Sequence, residues 1–283
     1  MVRRLLQEIK VNNHALVVGS GVWATKVSRR LSENFGFQIH QVSARALVND
    51  ELEENLEKKY QLIVCATTPV LQEQVIANYS HLSNHIWLEK PLANSYEGAK
   101  EILSSLEKQN DISALVNFSW TFSEIWRSFE MLNLIPEQVK QIQISRAAFA
   151  ESHKYINAKE DYGSHDIALL LYWFITRRKS EVEVVSKKFE SHSFQTQMNG
   201  IPVKWSINFG ASIKSMVWTI KWNDGKITKI DFYRNRIDHE GRTIEVKGPD
   251  NIENLLRVLF NDDRNVQEYN RLIALKTKEF FSI

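Results

Sequence analysis

The stretch His14-Ala15-Leu16-Val17-Val18-Gly19-Ser20-Gly21-Val22-Trp23-Ala24 decides the architecture of this chain. Its first half is a short apolar run with β-branched valines that stops at a glycine. That is the pattern of a strand buried on both faces of a parallel sheet. Helix signals follow from Trp23 to Asn34. A glycine turn between a strand and a helix is the context in which such a motif reads as a dinucleotide fingerprint. Gly19 permits the tight turn, Gly21 lets a pyrophosphate approach the backbone, and the small Ala24 lets helix and strand pack closely. The amides at the helix start then face the phosphates, so Gly19, Ser20, Gly21, Val22, Trp23 and Ala24 form the expected cradle. Trp23 is unusual in such a turn, and it either covers the cofactor or buries itself against the next strand.

Working outward, the alternation continues. Strands are expected at Phe37–Ser43, Gln61–Ala66, Ile86–Leu88 and Ser113–Asn117, with helices over Asp50–Lys59, Leu71–Tyr79 and from the Ser95 cap to about Lys108. Strands alternating with helices over roughly 120 residues indicate a doubly wound parallel sheet. The pattern then changes. After a helix at Ser123–Leu132, strands are expected at Val139–Ala148, Glu181–Phe189, Lys204–Asn208, Ser215–Trp222 and Ile227–Phe232. Asn223-Asp224-Gly225-Lys226 reads as a hairpin turn. One helix, Ser164–Ile175, interrupts these strands, and Asn251–Phe260 with Val266–Phe281 close the chain as helices. The expected class is α/β. An N-terminal Rossmann sheet over residues 1–119 is followed, over 120–283, by an α+β domain with a large, mostly antiparallel open sheet.

Composition narrows the function. With 43% hydrophobic and 25% charged residues the chain reads as globular. A net charge of +2 gives no reason to expect nucleic acid or an anionic membrane as partner. The longest apolar helix candidate, Ile167–Ile175, is about half the ~20 residues a membrane span needs. The N-terminus turns charged without a signal-peptide pattern, so a cytoplasmic protein is expected. The single cysteine, Cys65, excludes an intrachain disulfide and a cysteine-built metal site, and its apolar surroundings predict an inert thiol. No metal ligand set is apparent among the eight histidines.

The end of the second strand selects the cofactor. An acid there accepts hydrogen bonds from the ribose hydroxyls of NAD. Here the residues are Gln41-Val42-Ser43-Ala44-Arg45. Ser43 can hydrogen-bond a 2′-phosphate and Arg45 can pair with its charge, so NADP is expected ahead of NAD. In Trp87-Leu88-Glu89-Lys90-Pro91-Leu92-Ala93, a strand end delivers Lys90 to the crevice where ligands of such sheets bind. Downstream, Asp161-Tyr162-Gly163-Ser164-His165 places a carboxylate and an imidazole four residues apart on one helix face. Asp161 also suits the helix N-cap. Together these groups can move a proton on and off a hydroxyl or carbonyl oxygen.

The strand end Ala66-Thr67-Thr68-Pro69, then Glu89-Lys90-Pro91-Leu92-Ala93, then Asp161 with His165, resemble in order and spacing the family of glucose-fructose oxidoreductase, inositol dehydrogenase and rhizopine-catabolism oxidoreductases. The resemblance covers most of the chain. It implies a Rossmann domain followed by an open sheet that often mediates dimers or tetramers. It implies Lys90 as the residue holding the substrate oxygen, His165 as proton donor or acceptor, and Asp161 as its partner or a second substrate ligand. It also implies Thr67 and Pro69 along the nicotinamide, Glu89 at the cofactor ribose and Asn117 near the nicotinamide. Two positions depart from the family pattern. Gln72 and Ala168 stand where many members carry histidine and aspartate, which weakens any transfer of substrate identity.

The expectation is therefore an NADP-dependent oxidoreductase acting on a secondary alcohol or ketone of a sugar or nucleotide-sugar, as a homodimer or homotetramer. Trp120, Trp126 and Tyr155 are candidates to stack on a sugar ring, with core burial as the alternative. Two other readings keep the fold. One is an NADPH-dependent reductase of an imine or unsaturated intermediate. The other is a non-catalytic nicotinamide-sensing regulator, against which the intact Lys90, Asp161 and His165 argue.

Overall fold

Five short strands, β1 (His14–Val18), β2 (Gln38–Val42), β3 (Leu62–Cys65), β4 (His85–Leu88) and β5 (Ser113–Val116), pair in parallel in the order β2-β1-β3-β4-β5. The computed structural model describes residues 13–49, 60–109, 111–149, 158–178, 182–261 and 263–282. The helix expected at Asp50–Lys59, the start of the strand expected from Glu181, and Tyr155 lie outside the described residues. Helices α1 (Val22–Phe35), α2 (Ala44–Val48), α3 (Pro69–Tyr79) and α4 (Tyr96–Glu107) lie between the strands. Every residue of β3 and β5 is buried, as runs such as Leu62-Ile63-Val64-Cys65 require when both faces are covered. Helix α1 turns Ala24, Val27, Ser28 and Leu31 inward, the helical period of a one-sided apolar stripe. It stops at Gly36, whose φ of 74° is left-handed. Because β1 is followed in space by β2 on one side and β3 on the other, the sheet has a switch point beside the end of β1.

Cys65 ends β3 with no exposure. Burial, and then the nearby Glu89 carboxylate, pushes its thiol up to about 12. Thiolate is the reactive form, so iodoacetamide at about pH 8 should leave Cys65 unmodified in the native protein and alkylate it in denaturing urea. Alkylation without unfolding, read by mass spectrometry, would refute this burial.

The second body is a helix on a large sheet. After α5 (Glu124–Met131) come β6 (Val139–Ala148), α6 (Ala158–Arg178), β7 (Val184–Phe189), β8 (Ser193–Met198), β9 (Ile201–Phe209), β10 (Ser215–Trp222), β11 (Ile227–Asp231), β12 (Arg236–His239) and β13 (Arg242–Glu245). Their order is β13-β12-β11-β10-β6-β9-β8-β7. Only β6 and β9 run parallel, and every other neighbouring pair is antiparallel. The alternating burial of β9 and β10 gives the sheet one apolar face, bearing Ile144, Trp205, Trp218 and Ile220. The Asn223–Lys226 turn forms as expected, with Gly225 at φ 87° and Trp222 N donating to Lys226 O at 3.0 Å. Three strands go beyond the expected set: β8, β12 and β13.

Helix α6 starts six residues before the expected Ser164. Asp161 therefore stands in its first turn, and its N-cap reading is corrected. Ile167, Leu169, Leu170, Trp173 and Phe174 are buried along it. So is Asp166, with no exposure at all. Its Oδ2 accepts from Arg146 Nε at 2.5 Å and Trp205 Nε1 at 2.7 Å, and its Oδ1 from Trp218 Nε1 at 2.8 Å. One carboxylate thus ties the helix to β6, β9 and β10, three adjacent strands.

By its contacts the chain divides into Met1–Phe118 with Glu253–Ile283, and Ser119–Ile252. Residues Glu253–Ile283, expected within a domain over 120–283, thus group with the first unit. Helices α7 (Asn251–Phe260) and α8 (Arg264–Phe281) close the chain, and α8 packs on β5 and α4. The reason is chemical. β5 is an edge strand, and its open N–H and C=O groups need partners. Asn270 supplies both, accepting from Val116 N at 2.7 Å and donating to Val116 O at 3.0 Å. At the start of β5, Ser113 Oγ donates to Leu259 O of α7 at 2.9 Å. Among the described residues no helix is long and apolar enough to cross a membrane.

Candidate functional site

Each cofactor-binding residue expected in the first unit lies just past the C-terminal end of a strand. Gly19 to Ala24 follow β1, and Ser43 with Arg45 follow β2. Ala66, Thr67, Thr68 and Pro69 follow β3, Glu89 and Lys90 follow β4, and Asn117 follows β5.

The two glycines of the first turn are glycines for different reasons. Gly19 has φ 148°, and a Cβ there would sit 2.1 Å from Ala66 O. The protein itself demands its small size, because the β1 and β3 strand ends approach so closely. Gly21 has φ −81°, which any residue adopts, and a Cβ there would meet nothing within 4 Å. Neither conformation nor packing requires it. Gly21 also N-caps α1 with no side-chain cap, and the first turn carries no acidic residue. The positive end of the helix dipole is thus left to an incoming anion. Val22 beside it is 90% exposed. The turn is held from behind: Gly19 N donates to Val42 O at 2.8 Å, and Gln41 Nε2 donates to Gly19 O at 2.9 Å while its Oε1 accepts from Ser28. These features fit a dinucleotide pyrophosphate. Ser43 stands at the N-cap of α2 with no capping bond from its hydroxyl, and Arg45 is exposed two residues on.

Glu89 gathers the other strand ends. Its Oε1 accepts from Trp23 Nε1 at 2.8 Å, Trp87 Nε1 at 2.9 Å and Asn117 Nδ2 at 2.9 Å. Burial pushes the Glu89 carboxyl above its ordinary range. The Asn117, Trp23 and Trp87 donors, and then the Lys90 charge, pull it back. The half-buried Trp23 indole thus bridges from the glycine turn to the residue that follows β4. The Lys90–Pro91 peptide that follows is cis. Gln72, which the sequence marked only as a departure, is 1% exposed and bonds the backbone of Glu89 and Leu92. One signal could have found it. Gln72 interrupts the buried stripe Pro69, Val75, Ile76 of α3, where a polar residue needs a partner.

In the second unit Asp161 and His165 stand one turn apart on α6, both half-buried. Tyr162 lies between them in sequence. Burial, and then the charge of Asp161, raises its phenol above the ordinary value, with Arg146 opposing. Of the aromatic candidates, Trp126 has no exposure and is core. Trp120 remains half-exposed, edge-on to Phe232 at 5.4 Å and Tyr233 at 5.5 Å. Among the described residues no cluster of three or more His, Cys, Asp or Glu could hold a metal ion.

No protein-family model and no curated protein matches the chain in sequence. Solved structures match it in fold. A dehydrogenase (MviM) from Clostridium difficile is 16% identical, with a TM-score of 0.70 over 94% of this chain and 96% of that one. UDP-N-acetylglucosamine 3-dehydrogenase GnnA from Acidithiobacillus ferrooxidans is 14% identical, with a TM-score of 0.70 over 95% and 99%. An oxidoreductase from Thermotoga maritima is 15% identical, with a TM-score of 0.68 over 95% and 94%. At these identities the likeness shows a shared two-part fold.

Proposed function

We propose that this chain is an NADP-dependent oxidoreductase of the glucose-fructose oxidoreductase, inositol dehydrogenase and rhizopine-catabolism family, acting on a secondary alcohol or ketone of a sugar or nucleotide-sugar. The observation that carries this reading is Gly21, a glycine that the protein does not need for its own conformation or packing, at an uncapped helix start beside the switch point of a parallel sheet. Beyond its modest N-cap preference, close approach of a ligand phosphate to the protein backbone explains a glycine there. The solved structures of like fold include two named dehydrogenases, one of them acting on UDP-N-acetylglucosamine, which supports a carbohydrate-like substrate.

In this reading the first unit holds the dinucleotide. Residues Gly19 to Ala24 receive the pyrophosphate, and Ser43 with Arg45 receive the 2′-phosphate. Thr67, Thr68 and Pro69, with Ala66 behind them, line the nicotinamide side together with Asn117, and Glu89 stands at the cofactor ribose. The bound cofactor supplies or accepts the hydride. Lys90 holds the reacting oxygen by hydrogen bonding, and His165 gives or takes its proton. Asp161, one turn away, sets the orientation and charge of that imidazole. This pair favours an oxygen substrate over an imine, whose reduction needs less help at an oxygen. The second unit contributes the substrate surface and, through the uncovered face of its eight-stranded sheet, a dimer or tetramer contact. That face exposes Gln143, Ser145, Lys204, Ser206 and Lys221, a polar composition suited to a wet interface.

Tryptophan fluorescence, to which Trp23 contributes beside the turn, tests the cofactor. NADPH should bind more tightly than NADH. Arg45→Ala should weaken NADPH by about 10- to 100-fold, the loss of one charge-assisted contact, and leave NADH within about threefold. Equal weakening of both nucleotides would remove the NADP assignment alone. Failure of both to bind below roughly millimolar would remove the oxidoreductase reading.

A further inference from the structure

We propose that Gln72 is a positioning residue for Lys90, a role that rests on the reading of Lys90 as the group at the reacting oxygen. Gln72 is buried on α3, and all the polar capacity of its amide facing this loop is directed at one four-residue segment. Its Nε2 donates to Glu89 O at 3.0 Å and to Leu92 O at 2.8 Å, and its Oε1 accepts from Glu89 N at 2.9 Å. The two bonds to Glu89 lie on the N-terminal side of Lys90 and the bond to Leu92 lies beyond Pro91, so the amide brackets the lysine from both sides. The side chain of Glu89 is held separately, by Trp23, Trp87 and Asn117.

The chemistry selects this residue type. A primary amide carries two N–H donors and a carbonyl acceptor in one plane, and this site uses both kinds. Glutamate in its place would set a second acceptor against two backbone carbonyls. Methionine, of similar length, would leave three buried backbone groups without partners. Lysine reaches its substrate on a flexible four-carbon stem. The precision of its ammonium therefore depends on the backbone that carries it, and a displacement of about 1 Å at such a group can cost ~100-fold in rate.

The test uses the full chain and needs no identified substrate. Lys90 and a surface control, Lys100, are acetylated with acetic anhydride across a range of pH, with and without NADPH, and read by mass spectrometry. In the wild type, NADPH should slow acetylation of Lys90 about tenfold or more and leave Lys100 unchanged. In Gln72→Met and Gln72→Glu, protection should fall below about threefold and the pH midpoint of Lys90 labelling should move, while NADPH affinity by fluorescence stays within about threefold. Two variants are used because Gln72→Glu keeps the volume and one acceptor should Gln72→Met fail to fold. Unchanged protection and an unchanged midpoint in a folded variant would overturn the positioning role and leave the function intact. A wild type in which bound NADPH does not protect Lys90 would instead overturn the placement of Lys90 at the cofactor, and the Gln72 role with it.

Discussion

Asp166→Ala is expected to destabilise the second unit by about 3–5 kcal/mol. The Arg146 side chain is 4% exposed and that of Asp166 not at all, so the deletion leaves a guanidinium buried without its counter-charge. It also strands the indole N–H groups of Trp205 and Trp218, which share the same carboxylate. In a chain of this size the loss corresponds to a fall in Tm of roughly 10 °C. Replacing both ions, with Arg146→Met and Asp166→Leu together, should recover most of the stability, because well-packed apolar groups often substitute for a buried pair at little cost. Urea unfolding followed by tryptophan emission reads both, since two of the indoles report on the network directly. A single-variant loss below about 1 kcal/mol would show that Arg146 finds another partner.

Gly21→Val is expected to weaken dinucleotide binding by about 100-fold or more, equivalent to roughly 3 kcal/mol. The same change should move stability by no more than about 1 kcal/mol, because it alters only the helix N-cap preference. Its counterpart is Gly19→Ala. There the added Cβ meets Ala66 O at 2.1 Å with φ at 148°, so the fold itself should suffer, by about 3 kcal/mol or more. The two glycines therefore separate binding from folding within one turn. Calorimetric titration with NADPH, beside thermal unfolding of each variant, measures both effects. A Gly21→Val protein that binds NADPH as the wild type does would leave the first turn without a ligand-binding role.

Much of the fold was legible because it is written in local periods. The buried runs of β1 and β3, the i, i+3, i+4 stripe of α1 and the Ser95 cap, which accepts from Gly98 N at 2.9 Å, all follow from neighbouring residues. Two further turns are also written locally. Asn199-Gly200, with φ of 51° and 77°, is a hairpin signal joining β8 to β9. Glu240-Gly241, at φ 50° and 74°, joins β12 to β13, and a glutamate in that conformation hides the turn from composition.

The sequence by itself determined the alternation of strands and helices, the glycine turn and the strand ends at which Lys90, Glu89 and Asn117 arrive. Tertiary structure alone decided that Asp166 joins three strands, that Trp23 reaches Glu89 and that Gln72 brackets Lys90. It also decided that α8 returns to cap β5. The physical reason is range. Hydrophobic patterning acts through residues two to four apart, whereas these bonds link residues from 17 to 154 positions apart. A buried polar group must find a partner, and only the packed chain shows which one it finds.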